Sequence, residues 1–318
     1  MKSLTVKVGT RGSPLALAQT ELTLRRLREL HPKIKFVVVP IKTTGDRLKT
    51  TAQLRVSGKG LFTKEIERAL LARKVSIAIH SLKDLPSELP EGLVLGAVPE
   101  RAEAADVFIG RGAMPIDKLP PGSRIGTSSL RRQAILRSIF RQLVFEDLKG
   151  NLDTRLEKLN GARGGLAGIV VAAAGLRRLH PESGIPAQLL SKEVLVPAAG
   201  QGALALEIRE NDEAMRELLA PIHHPTTAAC VAAERELQRR LEGGCQVPMG
   251  AYAEATPDGV LTLTACLASL DGLRVLREKQ SGMMDDPAGV AEALETILLS
   301  KGAREILDAA RPRTKSRR

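Results

Sequence analysis

An alternation of strand patterns with amphipathic helix patterns over the first hundred residues constrains the fold of this 318-residue chain more than any other feature. Residues 4–8 and 36–41 predict strands. Between them, Ser13 and Pro14 supply an N-cap and a first-turn proline for a helix that we expect over residues 15–30. Such alternation is typical of a sheet flanked by helices.

The same block contains a charged pair at a predicted strand end. Thr63 is expected to cap a helix through Ala72, and residues 75–79 predict a buried strand that leads into Lys83 and Asp84. Ligands of open α/β sheets bind beyond the carboxyl ends of the strands. We therefore expect this pair to face a binding site, although Lys83 and Asp84 taken alone are more typical of a surface ion pair than of a catalytic pair.

Two further blocks follow along the chain. A second α/β block begins near Asp106, and the strand-like run 203–208 predicts that the chain then returns to the first block. From His223 the pattern becomes α+β, with a helix, three strand-like runs separated by turn signals, and a closing helix. We predict domain 1 over residues 1–100 and 200–220, domain 2 over 104–196, and domain 3 over 223–318 with a basic tail at 311–318.

The charge balance suggests a small anionic ligand rather than a nucleic acid. The chain has 48 Lys+Arg against 36 Asp+Glu, a formal net charge of +12, but only 2% of its residues are aromatic. Binders of single-stranded nucleic acid need aromatic stacking platforms, which this chain largely lacks. We expect no nucleic-acid partner, and the surplus cations could instead hold a polyanionic small molecule.

Hydropathy and cysteine usage narrow the class further. The longest run of apolar residues and glycine, 166–176, is much shorter than the roughly 20 residues that a membrane span needs. No signal-peptide pattern is visible, so we expect a cytoplasmic protein without membrane contact. The three cysteines form no CxxC pair, and we predict neither a disulfide framework nor a metal site.

Two other segments carry residues suited to chemistry. Residues 126–133 place three hydroxyl groups and two arginines at a predicted helix start, where free N–H groups and guanidinium groups favour anions, although a solvated helix cap fits as well. Cys245 lies on a glycine turn after a predicted helix. A lone cysteine is usually an inert small hydrophobe, but one on a turn is open to reaction.

These segments together resemble the porphobilinogen deaminase (hydroxymethylbilane synthase) family over essentially the whole chain. Seven blocks carry the resemblance in the same order: residues 9–16, 58–65, 80–86, 126–133, 150–156, 200–203 and 241–248. The resemblance implies two lobes similar to those of periplasmic binding proteins and a third, smaller α+β domain. It is consistent with the two α/β blocks and one α+β block that the pattern alone predicts.

The resemblance also implies an activity. Members of the family are transferases that condense four porphobilinogen molecules head to tail, lose ammonia at each step and release 1-hydroxymethylbilane for tetrapyrrole (porphyrin and heme) biosynthesis. They extend a dipyrromethane cofactor that is bound as a thioether to one cysteine, which corresponds to Cys245 here. A thiolate suits this attachment because it is a soft nucleophile, and the adjacent glycines leave room for the adduct. A monomer is expected.

Residue by residue, the resemblance places the catalytic carboxyl at Asp84, which would protonate the departing amino group and then stabilise the positive charge on the pyrrole. The implied cofactor contacts are Lys83, Ser13, Thr127, Ser128, Ser129, Arg131 and Arg132. The implied substrate contacts are Arg11, Lys149, Arg155, Arg178, Lys59 and Phe62. Lys149 departs from the family pattern, which commonly has arginine at this position.

Two other classes remain open at this point. A non-enzymatic solute-binding protein would share the two lobes but would have no use for Cys245. A cysteine hydrolase would need a histidine base close to Cys245, and the sequence does not place any of the five histidines there. A covalent mass excess of two pyrroles on the purified protein would distinguish the synthase from both.

Overall fold

The computed structural model describes residues 4–47, 60–161, 165–241 and 247–310, and it contains three β-sheets. Two are mixed sheets of five strands each, flanked by helices, and one is a three-stranded antiparallel sheet covered by helices. We call the two five-stranded sheets with their helices lobe 1 and lobe 2. This arrangement confirms the predicted fold class of two α/β lobes with a smaller α+β unit.

Lobe 1 is built around a sheet with the strand order β2-β1-β3-β10-β4. Its strands are β1 (Thr5–Arg11), β2 (Lys35–Ile41), β3 (Ile77–Ser81), β4 (Leu93–Ala97) and β10 (Leu204–Arg209). β1 is parallel to β2 and β3, whereas β10 lies between β3 and β4 and is antiparallel to both. The predicted return of the chain to the first sheet is therefore observed.

The helices of lobe 1 are α1 (Pro14–Leu30), α2 (Thr44–Arg47), α3 (Lys64–Leu71) and α7 (Glu213–Leu219). The Ser13 side chain accepts a hydrogen bond from the Ala16 N–H, which confirms it as the cap of α1. Thr63 precedes α3 as predicted, but its side chain makes no capping hydrogen bond. The backbone of Thr63 departs from the extended conformation typical of a capping residue, and the prediction that Thr63 caps this helix is wrong.

Lobe 2 repeats the same plan with the strand order β7-β6-β8-β5-β9. Its strands are β5 (Asp106–Gly110), β6 (Arg124–Gly126), β7 (Val144–Glu146), β8 (Gly168–Ala172) and β9 (Gln188–Leu190). Its helices are α4 (Leu130–Ile139), α5 (Leu152–Asn160) and α6 (Ala173–Leu179). As in lobe 1, three strands are parallel, and an antiparallel strand, β5, separates them from the edge strand.

The third unit has α8 (Pro225–Arg240), the strands β11 (Met249–Ala255), β12 (Val260–Ala268) and β13 (Val275–Met283), then α9 (Pro287–Ser300) and α10 (Ala303–Ala310). The predicted meander and closing helix are confirmed, and α10 is an additional element. One face of α8 (Cys230, Ala233 and Leu237) packs with β12 and α9 in one apolar core. Among the described helices, none is long and apolar enough to cross a membrane.

Candidate functional site

A cleft of about 780 Å³ lies between the two lobes, and both contribute to its walls. Lobe 1 contributes the ends of β1 and β3, and lobe 2 contributes α5, α6 and the segment after β6. Carboxyl ends of strands from both sheets therefore meet at one cavity, as expected for open α/β sheets. Of the site residues implied by the resemblance, the cleft is lined by Arg11, Ser13, Phe62, Lys83, Asp84, Ser128, Arg132, Lys149, Arg155 and Arg178.

Asp84 ends a single turn of 3-10 helix, Leu82–Asp84, directly after β3. The turn is fixed by two buried leucines, Leu82 and Leu85, and by a hydrogen bond of 3.0 Å from the Leu82 N–H to the Ala203 carbonyl. With the apolar side chains directed into the core, the side chains of Lys83 and Asp84 line the cleft. The sequence prediction that this pair follows a strand end at a binding site is consistent with this geometry.

Arg11 lies next to Asp84 but is held more closely by a second carboxylate. Its guanidinium is 2.6 Å from Asp46 and 3.7 Å from Asp84, and it lies 4.1 Å from the centre of the Phe62 ring. Burial raises the pKa of Asp46, but the hydrogen bonds from Arg11 and Thr43 outweigh it and hold that pKa below its usual value. Asp46 was not among the sequence-predicted site residues.

Lys83 is a cation in a poorly solvated position. Burial, helped by the nearby Arg132, lowers the pKa of Lys83 from its usual value to about 8. Its ammonium donates a long hydrogen bond of 3.4 Å to the Gln201 side chain. Of the described carboxylates, none forms a salt bridge with Lys83, so its charge is available to an anionic ligand.

Arg155 and Arg178 are in the same situation on the opposite wall. Burial lowers the pKa of each to about 10, so both guanidinium groups remain protonated at neutral pH. Within the described residues, each donates to a backbone carbonyl: Arg155 to Gly150 at 2.9 Å and Arg178 to Gly202 at 2.7 Å. Each therefore faces the cleft without a salt bridge to any described carboxylate.

Arg131 and Arg132 have a different environment. Both bind the fully buried carboxylate of Asp106, at 2.7 Å each, and Gln201 donates to the same carboxylate at 2.9 Å. Burial raises the pKa of Asp106, yet the two arginines outweigh it and hold the value at about 2. Arg132 still reaches the cleft, whereas Arg131 donates to the Val196 carbonyl and is not among the lining residues.

The hydroxyl groups of the site are engaged with the backbone. Ser129 caps α4 by accepting from the Arg132 N–H, and Thr127 accepts from the Ser129 N–H at 3.4 Å. Ser128 donates to the Leu148 carbonyl. Only Ser128 of these three lines the described part of the cleft. The main effect of these hydroxyl groups in the structure is to fix the start of α4.

Two of the implied site residues, Lys59 and Cys245, lie outside the described residues. The other two cysteines, Cys230 and Cys266, are buried, and burial raises the pKa of both thiols, that of Cys230 to about 11. A thiol with a raised pKa is a poor nucleophile at neutral pH. Within the described residues, no group of His, Cys, Asp and Glu side chains could hold a metal ion.

Several cleft residues had no clear sequence signal. Gln19 is buried on α1, where it accepts a hydrogen bond from the Ser81 hydroxyl at 2.9 Å. Lys158 lies one helical turn after Arg155 and donates to the Lys149 carbonyl at 3.0 Å. The i, i+3 spacing of two cations after a helix cap could have indicated Lys158. Asp46 had no comparable signal, because its partner Arg11 is distant in sequence.

The fold and the cleft together define a two-lobed α/β protein. Its cleft is rich in cations, and the carboxyl group of Asp84, on a single turn of 3-10 helix, lies at the cleft wall. Residues 6–217 match the family model described as porphobilinogen deaminase, dipyromethane cofactor binding domain, and residues 228–299 match porphobilinogen deaminase, C-terminal domain. The chain belongs to the porphobilinogen deaminase family, and its first matched region is the cofactor-binding domain for dipyrromethane. This membership favours the synthase over the solute-binding and cysteine-hydrolase alternatives.

Curated relatives support the assignment over nearly the full chain. The porphobilinogen deaminase of Thiobacillus denitrificans is 46% identical over 305 residues, which cover 96% of this chain and 98% of the relative. That of Desulforudis audaxviator is 47% identical over 306 residues, which cover 96% of this chain and 98% of the relative.

Among solved structures, the chain is similar to the probable amino-acid ABC transporter extracellular-binding protein ytmK from Bacillus subtilis. The identity is 14% and the TM-score is 0.40, over 70% of this chain and 92% of that chain.

Proposed function

We propose that the chain is a transferase that condenses four porphobilinogen molecules head to tail in this cleft, with loss of ammonia, and releases 1-hydroxymethylbilane. One observation carries the proposal beyond family membership. Lys83, Arg155 and Arg178 have pKa values lowered by burial, form no salt bridge with a described carboxylate, and line the same cleft as Asp84. Desolvated cations are costly unless an anion pairs with them. Porphobilinogen supplies two carboxylates per molecule.

The residues present fit a bound dipyrromethane. Each of its pyrroles bears an acetate and a propionate, which match the guanidinium and ammonium groups of the walls. Leu15, Phe62, Leu152 and Leu179 provide apolar lining for the rings. When bound, the cofactor supplies the pyrrole carbon to which the first substrate is joined. We propose Lys83 and Arg132 as its carboxylate partners, with Ser13 and Ser128 nearby.

Cys245 is the proposed attachment point for the cofactor. It lies between Leu241 and Val247, which are both buried in the core of the third unit. The remaining cysteines are buried with raised thiol pKa values, which supports Cys245 as the reactive one.

Asp84 is the proposed proton donor to the departing amino group of porphobilinogen. Its turn places the carboxyl at the wall of the cleft, close to Arg11 and Lys83, which we propose bind carboxylates and so orient the amino group. After the amine leaves, the resulting carboxylate stabilises the positive charge on the substrate pyrrole and accepts the proton that the new bond displaces. Lys149, Arg155 and Arg178 are proposed to hold the carboxylates of the growing chain.

The proposed domains are residues 1–100 with 200–220, residues 104–196, and residues 223–318. Strand pairing supports this division, because β10 belongs to the first sheet although it follows the whole second sheet in sequence. The expectations of a monomer, a cytoplasmic location and no nucleic-acid partner stay predictions.

Intact-mass measurement and an assay with porphobilinogen test the proposal together. The purified parent should carry a covalent excess equal to two pyrroles and should consume porphobilinogen with release of ammonia. Cys245→Ser should lose both properties, while the matched control Cys230→Ser should retain the adduct. An unmodified, inactive parent would contradict the function, and an adduct that persists in Cys245→Ser would contradict the attachment point.

A further inference from the structure

Arg11 has three neighbours that together fix its guanidinium at the cleft wall. Asp46 contacts it at 2.6 Å, Asp84 approaches to 3.7 Å, and the Phe62 ring centre lies at 4.1 Å. We propose that Asp46 is a positioning residue for the reaction: it retains Arg11 and thereby keeps Asp84 available to the substrate amino group. This inference deepens the proposed function and rests on it.

Both oxygens of Asp46 are committed. Oδ1 accepts from Arg11, while Oδ2 accepts from the backbone N–H of Thr43 at 3.1 Å and from its hydroxyl at 2.7 Å. Thr43 is completely buried. Thr43 therefore orients the carboxylate through Oδ2, and this orientation directs Oδ1 towards Arg11.

The short helix α2, which carries Asp46, is attached to the start of α3. Thr44 donates twice to the Glu65 carboxylate, from its N–H at 3.0 Å and from its hydroxyl at 2.5 Å. The Gly45 N–H donates to the Leu61 carbonyl at 2.7 Å. A Cβ atom at residue 45 would lie only 2.2 Å from the Phe62 ring, so any other residue here would force the ring to move. Asp46 is thus held in register with both Arg11 and Phe62.

The distances from Arg11 to Asp46, 2.6 Å, and to Asp84, 3.7 Å, determine whether the carboxyl oxygens of Asp84 are occupied. A guanidinium can pair with a carboxylate in a bidentate manner, and such a pair occupies both carboxyl oxygens. At 3.7 Å, Asp84 has no such pair with Arg11. If Asp46 lost its charge, Arg11 would turn to Asp84 as its remaining carboxylate partner, and this pairing would occupy the carboxyl oxygens needed for proton transfer. Turnover would then fall more than substrate binding.

The test is a double-mutant cycle in the cofactor-loaded protein. Asp46→Asn should lower kcat by about 10- to 100-fold, the usual scale for a misplaced catalytic group, with a smaller change in KM. In the Arg11→Gln background the same substitution should change kcat by less than about 2-fold, because the residue through which Asp46 acts is absent. Asp46→Glu should recover part of the loss. Glu21→Gln, which breaks a surface pair with Arg28, is the matched control and should leave kcat unchanged.

Thr44→Val provides a second variant that does not alter any charge. It removes one anchor of α2 and should lower kcat in the same direction but by less. Unchanged kcat in Asp46→Asn, or equal losses in the parent and Arg11→Gln backgrounds, would overturn the inference. An inactive parent without the two-pyrrole adduct would instead overturn the proposed function, so the two failures are distinguishable.

Discussion

Lobe 2 contains two pairs of arginines that differ in where their counter-charge comes from. Arg131 and Arg132 share the buried carboxylate of Asp106, whose pKa they hold at about 2. Among the described residues, the hydrogen-bond partners of Arg155 and Arg178 are backbone carbonyls, and burial lowers the pKa of each guanidinium to about 10. The first pair has an internal counter-charge, although Arg132 also reaches the cleft, whereas no described carboxylate supplies a counter-charge to the second pair.

The largest expected effect on stability follows from removing the carboxylate of Asp106, which both arginines of the first pair share. Asp106→Asn leaves two buried guanidinium groups without a counter-charge, and we expect a loss of about 3–5 kcal/mol in the free energy of unfolding at pH 7. Urea denaturation measures it. Because the folded pKa is depressed, the contribution of Asp106 is present above its ordinary pKa and is lost as the pH falls through about 2.

The exposed pair of Asp117 and Lys118, 3.8 Å apart, supplies the control for this measurement. Asp117→Asn should change the free energy of unfolding by less than about 0.5 kcal/mol, since surface pairs contribute little. If Asp106→Asn were equally harmless, the distinction between the two arginine pairs would not hold.

Substitutions in the second pair, Arg155 and Arg178, should lower activity strongly and change the free energy of unfolding little. Arg178→Gln and Arg155→Gln each remove a desolvated cation, so the free energy of unfolding of the cofactor-free protein should stay within about 1 kcal/mol of the parent or rise. Activity should fall at least about 10-fold, because the chain carboxylates lose a bidentate partner. Arg177→Gln, a change at the adjacent exposed arginine, should affect neither. A large loss of stability without loss of activity would contradict a ligand-binding role.

Lys83 is a third cleft cation, and its effect on the free energy of unfolding should depend on pH. In the cofactor-free Cys245→Ser protein, the protonated ammonium is desolvated and costs folding free energy, and this cost disappears as the pH rises from about 8 towards the ordinary lysine value of 10.5. Lys83→Met should therefore be more stable than its parent at pH 7 by about 1 kcal/mol, a typical single-substitution effect. The difference should shrink between pH 8 and pH 10. A difference independent of pH would show that packing, not charge, is responsible.

Substitution of Glu67 should give the smallest change in the free energy of unfolding. Like the cleft arginines, Glu67 has a charged form that burial disfavours. Burial raises its pKa, and the nearby Glu207, which pairs with His80 at 3.0 Å, adds to the rise. A raised carboxyl pKa costs stability once the pH exceeds the unfolded value, near 4.5. Glu67→Gln should gain about 0.5–1 kcal/mol at pH 7 and nothing at pH 4. Thermal melting at the two pH values tests this, and destabilisation at pH 7 would contradict it.

The sequence predicts the elements of this fold better than the electrostatics of its site. Period-2 runs and a proline after a cap locate β1, α1 and the strand end before Lys83, because local residues determine them. The partnership of Arg131 and Arg132 with Asp106 could not be predicted, since it joins a strand to a helix more than twenty positions away. The short strand β9 was not predicted, since residues 188–190 show neither clear alternation nor an extended apolar run.

The position of β10 has a consequence for synthesis of the chain. β10 lies between β3 and β4, yet it follows all strands of lobe 2 in sequence. During translation, the sheet of lobe 2 can therefore close as soon as β9 leaves the ribosome. The amino-terminal sheet must wait, with the edges of β3 and β4 unpaired, until residue 209 has emerged. Nascent chains that pause before this point expose strand edges open to wrong pairing, so the lobe that is made first is completed second.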